Sequence, residues 1–379
     1  MIGDNAMHIL YLTNIPAPYK IDYYNELGKL CKLTVVFEND TAQNRNDSWY
    51  GTEFNNFEGI FLKKGIRVSE QFFFKPEITK YLRSLDPDIT VVAGYSSPTS
   101  LIAIRWLKRK RRLFGIEIDG ALLESENRIK HLIKSRILKA PSFCIGSGGE
   151  SKKFFNYHGV NNNKIYTSCF SSLKGEDILQ AKIPKEEIAS IRSKLGLSDK
   201  KLVILSVGQF IYRKGFDILF KSARLIDPSL IQICVVGGTP TEEYLRLSSG
   251  IDVVFAGFKS KEEILDYYKA ADIFVLPTRH DSWGLVINEA MANGIPVITT
   301  NKCVAGLELI SNGVNGYIVS VDDVDELRNK ICTLIEDELL LKKMGRNALN
   351  TIQKSTIEEM ANCHFVIFEK ILEKNGKQI

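Results

Sequence analysis

Short, continuous apolar runs recur along this chain, and each is followed by a segment with helical periodicity. Clear examples in the two halves are 8–13 (HILYLT), 33–37 (LTVVF), 89–93 (ITVVA), 202–207 (LVILSV), 231–236 (IQICVV) and 273–276 (IFVL). Runs without polar alternation are typical of strands covered on both faces, as in parallel sheets flanked by crossover helices. The pattern therefore predicts an α/β fold built on doubly wound parallel sheets.

The chain is long enough for two such sheets. Its 379 residues exceed the usual size of one domain, and its 44% hydrophobic and 25% charged residues are ordinary for a globular protein. Periodicity fades between Thr167 and Lys185. We therefore predict two consecutive domains, residues 1–170 and 171–355, followed by a long amphipathic helix near the end of the chain.

Cysteine usage and the apolar runs both bear on the cellular compartment. The seven cysteines are scattered without CxxC or CxxH spacing, which indicates reduced thiols rather than disulfides or a zinc site. The N-terminal segment has no basic region ahead of a long apolar stretch. No apolar run reaches the roughly 18 residues that a membrane-spanning helix needs. We expect a soluble, cytoplasmic protein.

Positive charge is concentrated in the first half. Residues 1–175 contain 25 Lys and Arg against 17 Asp and Glu, whereas residues 176–379 contain 25 against 28. Two basic stretches, 108–112 (KRKRR) and 128–139 (RIKHLIKSRILK), account for much of the excess. Such stretches attract phospholipid head groups, lipid diphosphates or nucleic acid, although either one alone is also explained as a solvated helix surface. Their occurrence in one half favours an anionic surface as partner.

One loop carries cations where a helix is predicted to begin. Residues 208–215 (GQFIYRKG) join an apolar strand to a helix starting near Phe216, so Arg213 and Lys214 are predicted at that helix's N-terminus. The helix dipole ordinarily favours acidic residues or bound anions there. A bound diphosphate would resolve the conflict, since Arg offers a forked contact and Lys a point charge. A pair of flexible surface cations is the alternative.

A second loop, 278–284, leads into a helix predicted over 285–293. Asp281 lies in the loop and Glu289 lies about one turn inside the helix. Carboxylates accept pairs of hydroxyl protons from sugars, and helix N-terminal amides bind phosphate oxygens. Gly284 would allow close approach of the backbone to a ligand. On residues alone, a surface loop with an exposed Glu289 is an equal alternative.

The order of these features resembles that of the retaining glycosyltransferases of family 4, which have the two-domain GT-B fold. The resemblance covers the C-terminal half and is weaker at 14–19 and 159–165. It rests on 208–217, on VGG at 236–238, on DSWGLVINEAMANGIPVI at 281–298, and on NGYIV at 315–319 followed by DD at 322–323. It implies two Rossmann-like doubly wound domains facing a central cleft. The acceptor would bind residues 1–170 and the donor residues 171–355, with the helix at about 356–379 packing back onto the first domain.

The resemblance also implies roles for individual residues. Arg213 and Lys214 would neutralise the donor diphosphate, Asp281 would bind sugar hydroxyls and Glu289 the ribose. The implied donor-binding set is Gly208, Arg213, Lys214, Gly237, Phe258, Asp281, Ser282, Trp283, Gly284, Leu285, Val286 and Glu289, with Phe258 beside the nucleobase and the amides around 283–286 on phosphate. The implied catalytic set is Arg213, Lys214 and Asp281, with Glu117 or Asp119 facing the reacting centre from the N-terminal half.

The sequence departs from the family pattern at several points. Asp281 stands where the family has Glu, one methylene longer, which bears on the sugar hydroxyl that it reaches. Gln209 stands where an Arg often follows the strand, and 16–19 (PAPY) replaces a glycine pair. The family's N-domain histidine has no clear counterpart, since 114–120 (FGIEIDG) occupies that region. The four histidines other than His280 have no mutual spacing that indicates a site.

The implied activity is metal-independent, retaining transfer of a hexose-type sugar from a nucleoside diphosphate sugar. A UDP-sugar is the favoured donor, and a glycan or lipid-diphosphate acceptor is implied, as in surface polysaccharide biosynthesis. No cofactor other than this co-substrate is expected, no metal ion and no nucleic acid. The basic N-terminal half suggests peripheral contact with the inner face of the cell membrane.

Two other classes of protein remain open. One is a nucleotide-sugar epimerase or a phosphorylase of the same architecture. An epimerase needs acid–base groups around the sugar and a phosphorylase needs a pyridoxal-phosphate lysine, and neither set is apparent. The other class is a non-catalytic nucleotide-sugar-binding protein, which is favoured only if Asp281 in place of Glu prevents turnover.

Overall fold

The computed structural model describes residues 7–40, 53–68, 73–180 and 183–376. The chain divides into two compact units, Met1–Ser172 with Thr356–Ile379, and Leu173–Ser355. Each unit contains one large sheet in which every strand pairing is parallel. The α/β fold with two doubly wound sheets, predicted from the apolar runs, is confirmed.

The first unit has the strand order β3-β2-β1-β6-β7-β8-β9 in its seven-stranded sheet, and β4 and β5 form a separate antiparallel pair. Its elements up to the unit boundary are β1 (His8–Thr13), α1 (Pro18–Leu27), β2 (Lys32–Phe37), β3 (Glu58–Phe61), β4 (Ile66–Arg67), β5 (Phe73–Phe74), α2 (Ile78–Ser84), β6 (Ile89–Ala93), α3 (Pro98–Arg109), β7 (Phe114–Ile118), α4 (Arg128–Leu138), β8 (Phe143–Ser147), α5 (Gly148–Tyr157) and β9 (Ile165–Ser168).

The second unit has the strand order β12-β11-β10-β13-β14-β15. Its elements are α6 (Lys185–Leu195), β10 (Leu202–Val207), α7 (Phe216–Ala223), β11 (Ile231–Val236), α8 (Glu242–Leu247), β12 (Val253–Gly257), α9 (Lys261–Ala270), β13 (Ile273–Leu276), α10 (Leu285–Ala292), β14 (Val297–Thr300), α11 (Val304–Leu309), β15 (Gly316–Val319), α12 (Val324–Glu336) and α13 (Glu338–Ile352). Strands β11 and β12 are added on one side of β10, and strands β13 to β15 on its other side. The sheet therefore has its topological switch point between β10 and β13, and ligands bind in such sheets near the loops that follow these two strands.

The chain returns to the first unit through its last helix, α14 (Ile357–Lys374), which packs against α1 and β9. Thr356 caps the helix by accepting from the amide of Glu359. Phe368 and Leu372 are buried at i and i+4, together with His364 one turn earlier. The apolar stripe of this helix therefore completes the core of the first unit.

Some predicted helix ends need correction. The helical pattern that follows Pro18 continues to about Leu30 in the sequence, but α1 ends at Leu27. The backbone at Gly28 lies so close to the carbonyl of Asn56 that a Cβ there would be 2.0 Å from its oxygen. The helical pattern that starts at Phe216 continues to Ile226 in the sequence, but α7 ends at Ala223. Pro228 follows, and a proline disfavours helical geometry in the residue before it. Edge strands β3 and β9 were missed.

Candidate functional site

The loop after β10 is held in place by two glycines whose backbones touch neighbouring strand ends. Gly215 has φ +72°, and a Cβ there would lie 1.9 Å from the carbonyl oxygen of Pro277 at the end of β13. A Cβ on Gly237, after β11, would lie 2.3 Å from the carbonyl oxygen of Gly208. Both positions therefore need glycine for close approach. This packing fixes the loop at the carboxyl edge of the sheet.

Between Gly208 and Gly215, the chain makes a single 3₁₀ turn over Tyr212–Lys214. Helix α7 begins at Phe216 as predicted, and Arg213 and Lys214 lie in the turn directly before it, separated from its first residue by the left-handed Gly215. The Lys214 Nζ lies 2.8 Å from the Oδ2 atom of Asp281, and the Arg213 guanidinium lies 3.4 Å from the same oxygen. Arg213 also donates to the carbonyl of His280 at 2.7 Å. The fold thus brings the two sequence-predicted loops together, although 67 residues separate Lys214 from Asp281.

Arg279, which no sequence motif marks, braces these loops. Its guanidinium makes a forked pair with the carboxylate of Asp217 at 2.9 and 2.8 Å and donates to the Tyr212 carbonyl at 2.7 Å. Its Nε lies 2.7 Å from Asp322, and its planar group stacks 3.8 Å from the centre of the Tyr212 ring. Burial by itself raises the pKa of Asp217, but Arg279 and, to a lesser extent, Lys221 together outweigh burial and hold that pKa below its ordinary value. The brace fixes the turn that carries Arg213 and Lys214.

The start of α10 presents backbone amides beside Asp281. Gly284 has φ +99° and lies against the sulfur of Cys303, where a Cβ would come within 2.6 Å. The first amides of a helix, here those of Leu285 and Val286, have no acceptor within the helix. The indole of Trp283 is 5% exposed and donates to the Asn288 side chain at 2.9 Å. Trp283 therefore anchors the loop through its side chain, and only its backbone is placed to meet a ligand.

Glu289 and Phe258 complete the predicted donor-binding set. Glu289 accepts a 2.7 Å hydrogen bond from the hydroxyl of Tyr268, which is fully buried on α9. Burial and the negative charge of Glu289 both raise the pKa of that hydroxyl well above its ordinary value, so it stays a donor. Phe258 follows Gly257 at the end of β12 and is 51% exposed. Residues of the set that flank β10, β11, β12 and β13 thus share one carboxyl edge.

Glu117 and Asp119 lie in the first unit, at the carboxyl end of β7. Glu117 is buried, and its Oε1 lies 3.3 Å from the Nε2 of His364 on α14. Burial by itself raises the pKa of Glu117, but His364, Tyr11 and Lys20 together hold it below its ordinary value. Lys20 also lies 3.4 Å from a carboxylate oxygen of Asp119. A histidine therefore does reach the carboxyl end of β7. It comes from α14, 247 positions after Glu117 in the sequence, and no local pattern around His364 indicated this contact.

No helix within the described residues combines the length and the apolar character that a membrane-spanning segment requires.

The second unit matches a known protein family, and relatives with known roles match larger parts of the chain. The family described as glycosyl transferases group 1 matches residues 187–351. A capsular polysaccharide biosynthesis glycosyltransferase, CapM of Staphylococcus aureus, is 28% identical over 249 residues, 62% of this chain and 64% of that protein. An N,N'-diacetylbacillosaminyl-diphospho-undecaprenol alpha-1,3-N-acetylgalactosaminyltransferase of Campylobacter jejuni is 23% identical over 317 residues, 81% of this chain and 82% of that protein.

Solved structures match the whole fold. Anabaena HepE in complex with UDP superposes with a TM-score of 0.77 over 96% of this chain and 100% of that one, at 19% identity.

The matches to several curated relatives span only about half of their length, for example 51% and 52%. Residues 187–351 of this chain thus match the glycosyl transferases group 1, and the chain shares the two-domain GT-B fold of its solved relatives.

Proposed function

We propose that this protein transfers a hexose-type sugar from a nucleoside diphosphate sugar to a glycan or lipid-linked acceptor. The observation that carries the proposal is the contact of Lys214 and Arg213 with Asp281 beside the first amides of α10. A diphosphate has the charge and oxygen geometry to replace Asp281 as the partner of both cations. The released Asp281 carboxylate would then be available to accept sugar hydroxyl protons, as a donor site requires.

The cations would act on the bond-breaking step. Negative charge builds on the departing nucleoside diphosphate as the glycosidic bond breaks, so fixed cations there stabilise the transition state more than the ground state. The brace through Arg279 keeps the turn with Lys214 in position before the donor binds. This mechanism needs no metal ion, and we propose metal-independent transfer with retention of the anomeric configuration.

A UDP-sugar is the donor that we favour. HepE of Anabaena was solved with UDP, and its fold is shared by this chain. The Asp281 carboxylate is one methylene shorter than the usual Glu, and it is already held by Lys214 and Arg213. The length of this carboxylate bears on which sugar hydroxyl it reaches. Donors should therefore be compared as a panel of sugars that differ in hydroxyl configuration but carry the same nucleotide.

The decisive experiment incubates the protein with UDP- and GDP-linked hexoses without an acceptor and follows release of the nucleoside diphosphate. We expect slow release from one donor, because water replaces the missing acceptor. Saturable binding without release from any donor, even after a pool of lipid-linked glycans is added, would instead identify a non-catalytic binding protein. Altered sugar configuration on an intact nucleotide sugar would identify an epimerase.

A lipid-linked acceptor is favoured by the surface of helix α4. Three aliphatic side chains at i, i+3 and i+4 point to solvent: Ile129 is 70% exposed, Leu132 66% and Ile133 57%. Exposed cations surround them, namely Arg128, Lys130, Arg136 and Lys139. A helix that offers aliphatic groups within a basic rim is complementary to an anionic bilayer surface. We propose that α4 docks on such a surface in surface polysaccharide assembly.

Replacing Leu132 by aspartate tests this docking. Burying one leucine side chain contributes about 1.5–3 kcal/mol, so Leu132→Asp should weaken sedimentation with anionic phospholipid vesicles by at least about tenfold. Leu339→Asp is the matched control, because Leu339 is 80% exposed on α13 of the other unit, and it should bind vesicles as the unchanged protein does. Equal binding of the unchanged protein to neutral and anionic vesicles, or no loss with Leu132→Asp, would refute the docking surface.

A further inference from the structure

Three metal-ligating side chains meet in the first unit, outside the donor site. Glu126 precedes α4, His131 lies on α4, and His158 directly follows α5. The Oε1 of Glu126 lies 3.2 Å from the Nδ1 of His131 and 3.6 Å from the Nε2 of His158. One atom from each residue lies within 4.8 Å of the other two. The 27-residue separation of the histidines has no motif spacing, and it is the fold that brings them together.

The two imidazoles are oriented as metal ligands usually are. Each turns one nitrogen toward Glu126, and each directs its other nitrogen toward the hydroxyl of Ser135, at 3.4 Å from His131 and 3.3 Å from His158. Ser135 is buried on α4. When the second ring nitrogen donates its hydrogen to Ser135, the lone pair of the first nitrogen faces Glu126 and is available to an ion. The rings are held 4.9 Å apart and nearly parallel.

We propose that Glu126, His131 and His158 form a binding site for a divalent transition-metal ion such as Zn²⁺. Zinc bonds of about 2.0–2.2 Å place tetrahedral ligand atoms roughly 3.2–3.6 Å apart, which matches the two Glu126 distances of 3.2 and 3.6 Å. Two imidazoles with one carboxylate form a ligand set typical of zinc and related ions rather than of Mg²⁺ or Ca²⁺. A cavity of about 40 Å³ beside the cluster has room for a water as further ligand.

Lys134 is the group that competes with such an ion. Its Nζ lies 2.7 Å from the Oε2 of Glu126, and the Lys134 side chain is 25% exposed. A divalent ion on Glu126 would repel the ammonium group, which can turn into solvent on its flexible stem. Lys134 therefore lowers the affinity of the site without supplying a ligand. Removing Lys134 should therefore raise the affinity of the site for a divalent ion.

A bound ion would connect three parts of the first unit. Residues 119–127 run from the end of β7, where Asp119 lies, to the start of α4. With Glu126 joined to His131 and His158, this segment would be fixed to both α4 and α5. The site would then be a structural staple that stiffens the chain leading away from Asp119. This role is independent of the proposed sugar transfer and of the donor-binding residues.

The test measures Zn²⁺ binding to the full-length, metal-stripped protein by equilibrium dialysis. We expect one ion per chain, with affinity at least about 100-fold weaker in His131→Ala and in Glu126→Gln, in keeping with loss of a ligand. His8→Ala is the matched control and should bind as the unchanged protein does. Lys134→Met should bind about tenfold more tightly or better, since one close like charge is removed.

Two precautions keep the outcome decisive. His158 is almost fully buried, so the test relies on the partly exposed His131 and Lys134, whose variants are checked for folding by circular dichroism. The same titrations with Co²⁺ report the ligand type, because thiolate ligands give a strong charge-transfer absorption that imidazole and carboxylate lack. Binding that persists in His131→Ala, a thiolate spectrum, or no binding by either the unchanged protein or Lys134→Met would overturn the proposal.

Discussion

Replacing Lys214 by methionine is expected to lower kcat/KM for nucleotide-sugar turnover by about 10²–10³-fold, the usual cost of removing one fixed group that stabilises transition-state charge. The Lys214 side chain is 12% exposed, and its ammonium group is aimed at the carboxylate of Asp281. Its stem packs over Gly208, at 3.2 Å from the position of a Cβ there. Methionine keeps this packing and removes only the charge. The measurement is initial-rate release of nucleoside diphosphate at several donor concentrations.

Lys221→Met is the matched control for that prediction. Lys221 lies on α7, is 48% exposed and pairs at 3.4 Å with Asp217. It loses the same charge close to the site without facing Asp281, so kcat/KM should stay within about twofold, as for a screened surface ion pair. A Lys214→Met protein that is as active as this control would exclude Lys214 from binding the departing diphosphate. The circular dichroism spectra of both variants should match that of the unchanged protein.

The parallel sheets were predictable because burial on both faces leaves a strong signal in sequence. Strand β10 is an uninterrupted apolar run but for one serine, and its interior residues are buried. The edge strands β3 and β9 lack that signal, since most of their residues are partly exposed. Their pairing depends on the neighbouring strand rather than on their own pattern. The sequence therefore identifies the middle of each sheet better than its edges.

The residues of the candidate site also differ in how clearly the sequence reveals them. Lys214, Asp281 and Glu289 lie in contiguous motifs whose residue types suit phosphate and sugar hydroxyls, so the sequence alone proposes them as donor-binding residues, and the fold brings Lys214 and Asp281 into contact. Arg279 was missed, because its partners Asp217 and Asp322 are distant in sequence and no local pattern joins them. Residues that bind a ligand can be selected by their chemistry, whereas residues that hold them in place are recognised only when the fold shows their contacts.

Removing the side chain of Arg279 is expected to have the largest effect on stability. Arg279→Met should lower the free energy of unfolding of the Leu173–Ser355 unit by about 3–5 kcal/mol, the cost of breaking a buried ion pair and leaving one partner uncompensated. The side chains of Arg279 and Asp217 are only 12% and 15% exposed. Urea unfolding should be followed by the fluorescence of buried Trp283, in a background with Trp49→Phe and Trp106→Phe, so that the signal reports this unit alone.

The pH dependence of the stability lost in Arg279→Met distinguishes the Arg279–Asp217 ion pair from simple loss of packing. Because Arg279 holds the pKa of Asp217 below its ordinary value, the stability that it contributes is fully present above the ordinary Asp pKa of about 3.9 and is lost as pH falls through the lowered value. The gap between the unchanged protein and Arg279→Met should therefore be widest near pH 7 and should narrow in acid, below about pH 4. Arg246→Met is the control, because Arg246 is 79% exposed in its pair with Glu242 and should cost at most about 0.5 kcal/mol. A gap for Arg279→Met that stays constant with pH would mean that packing on Tyr212, rather than the charge pair with Asp217, supports the turn that carries Lys214.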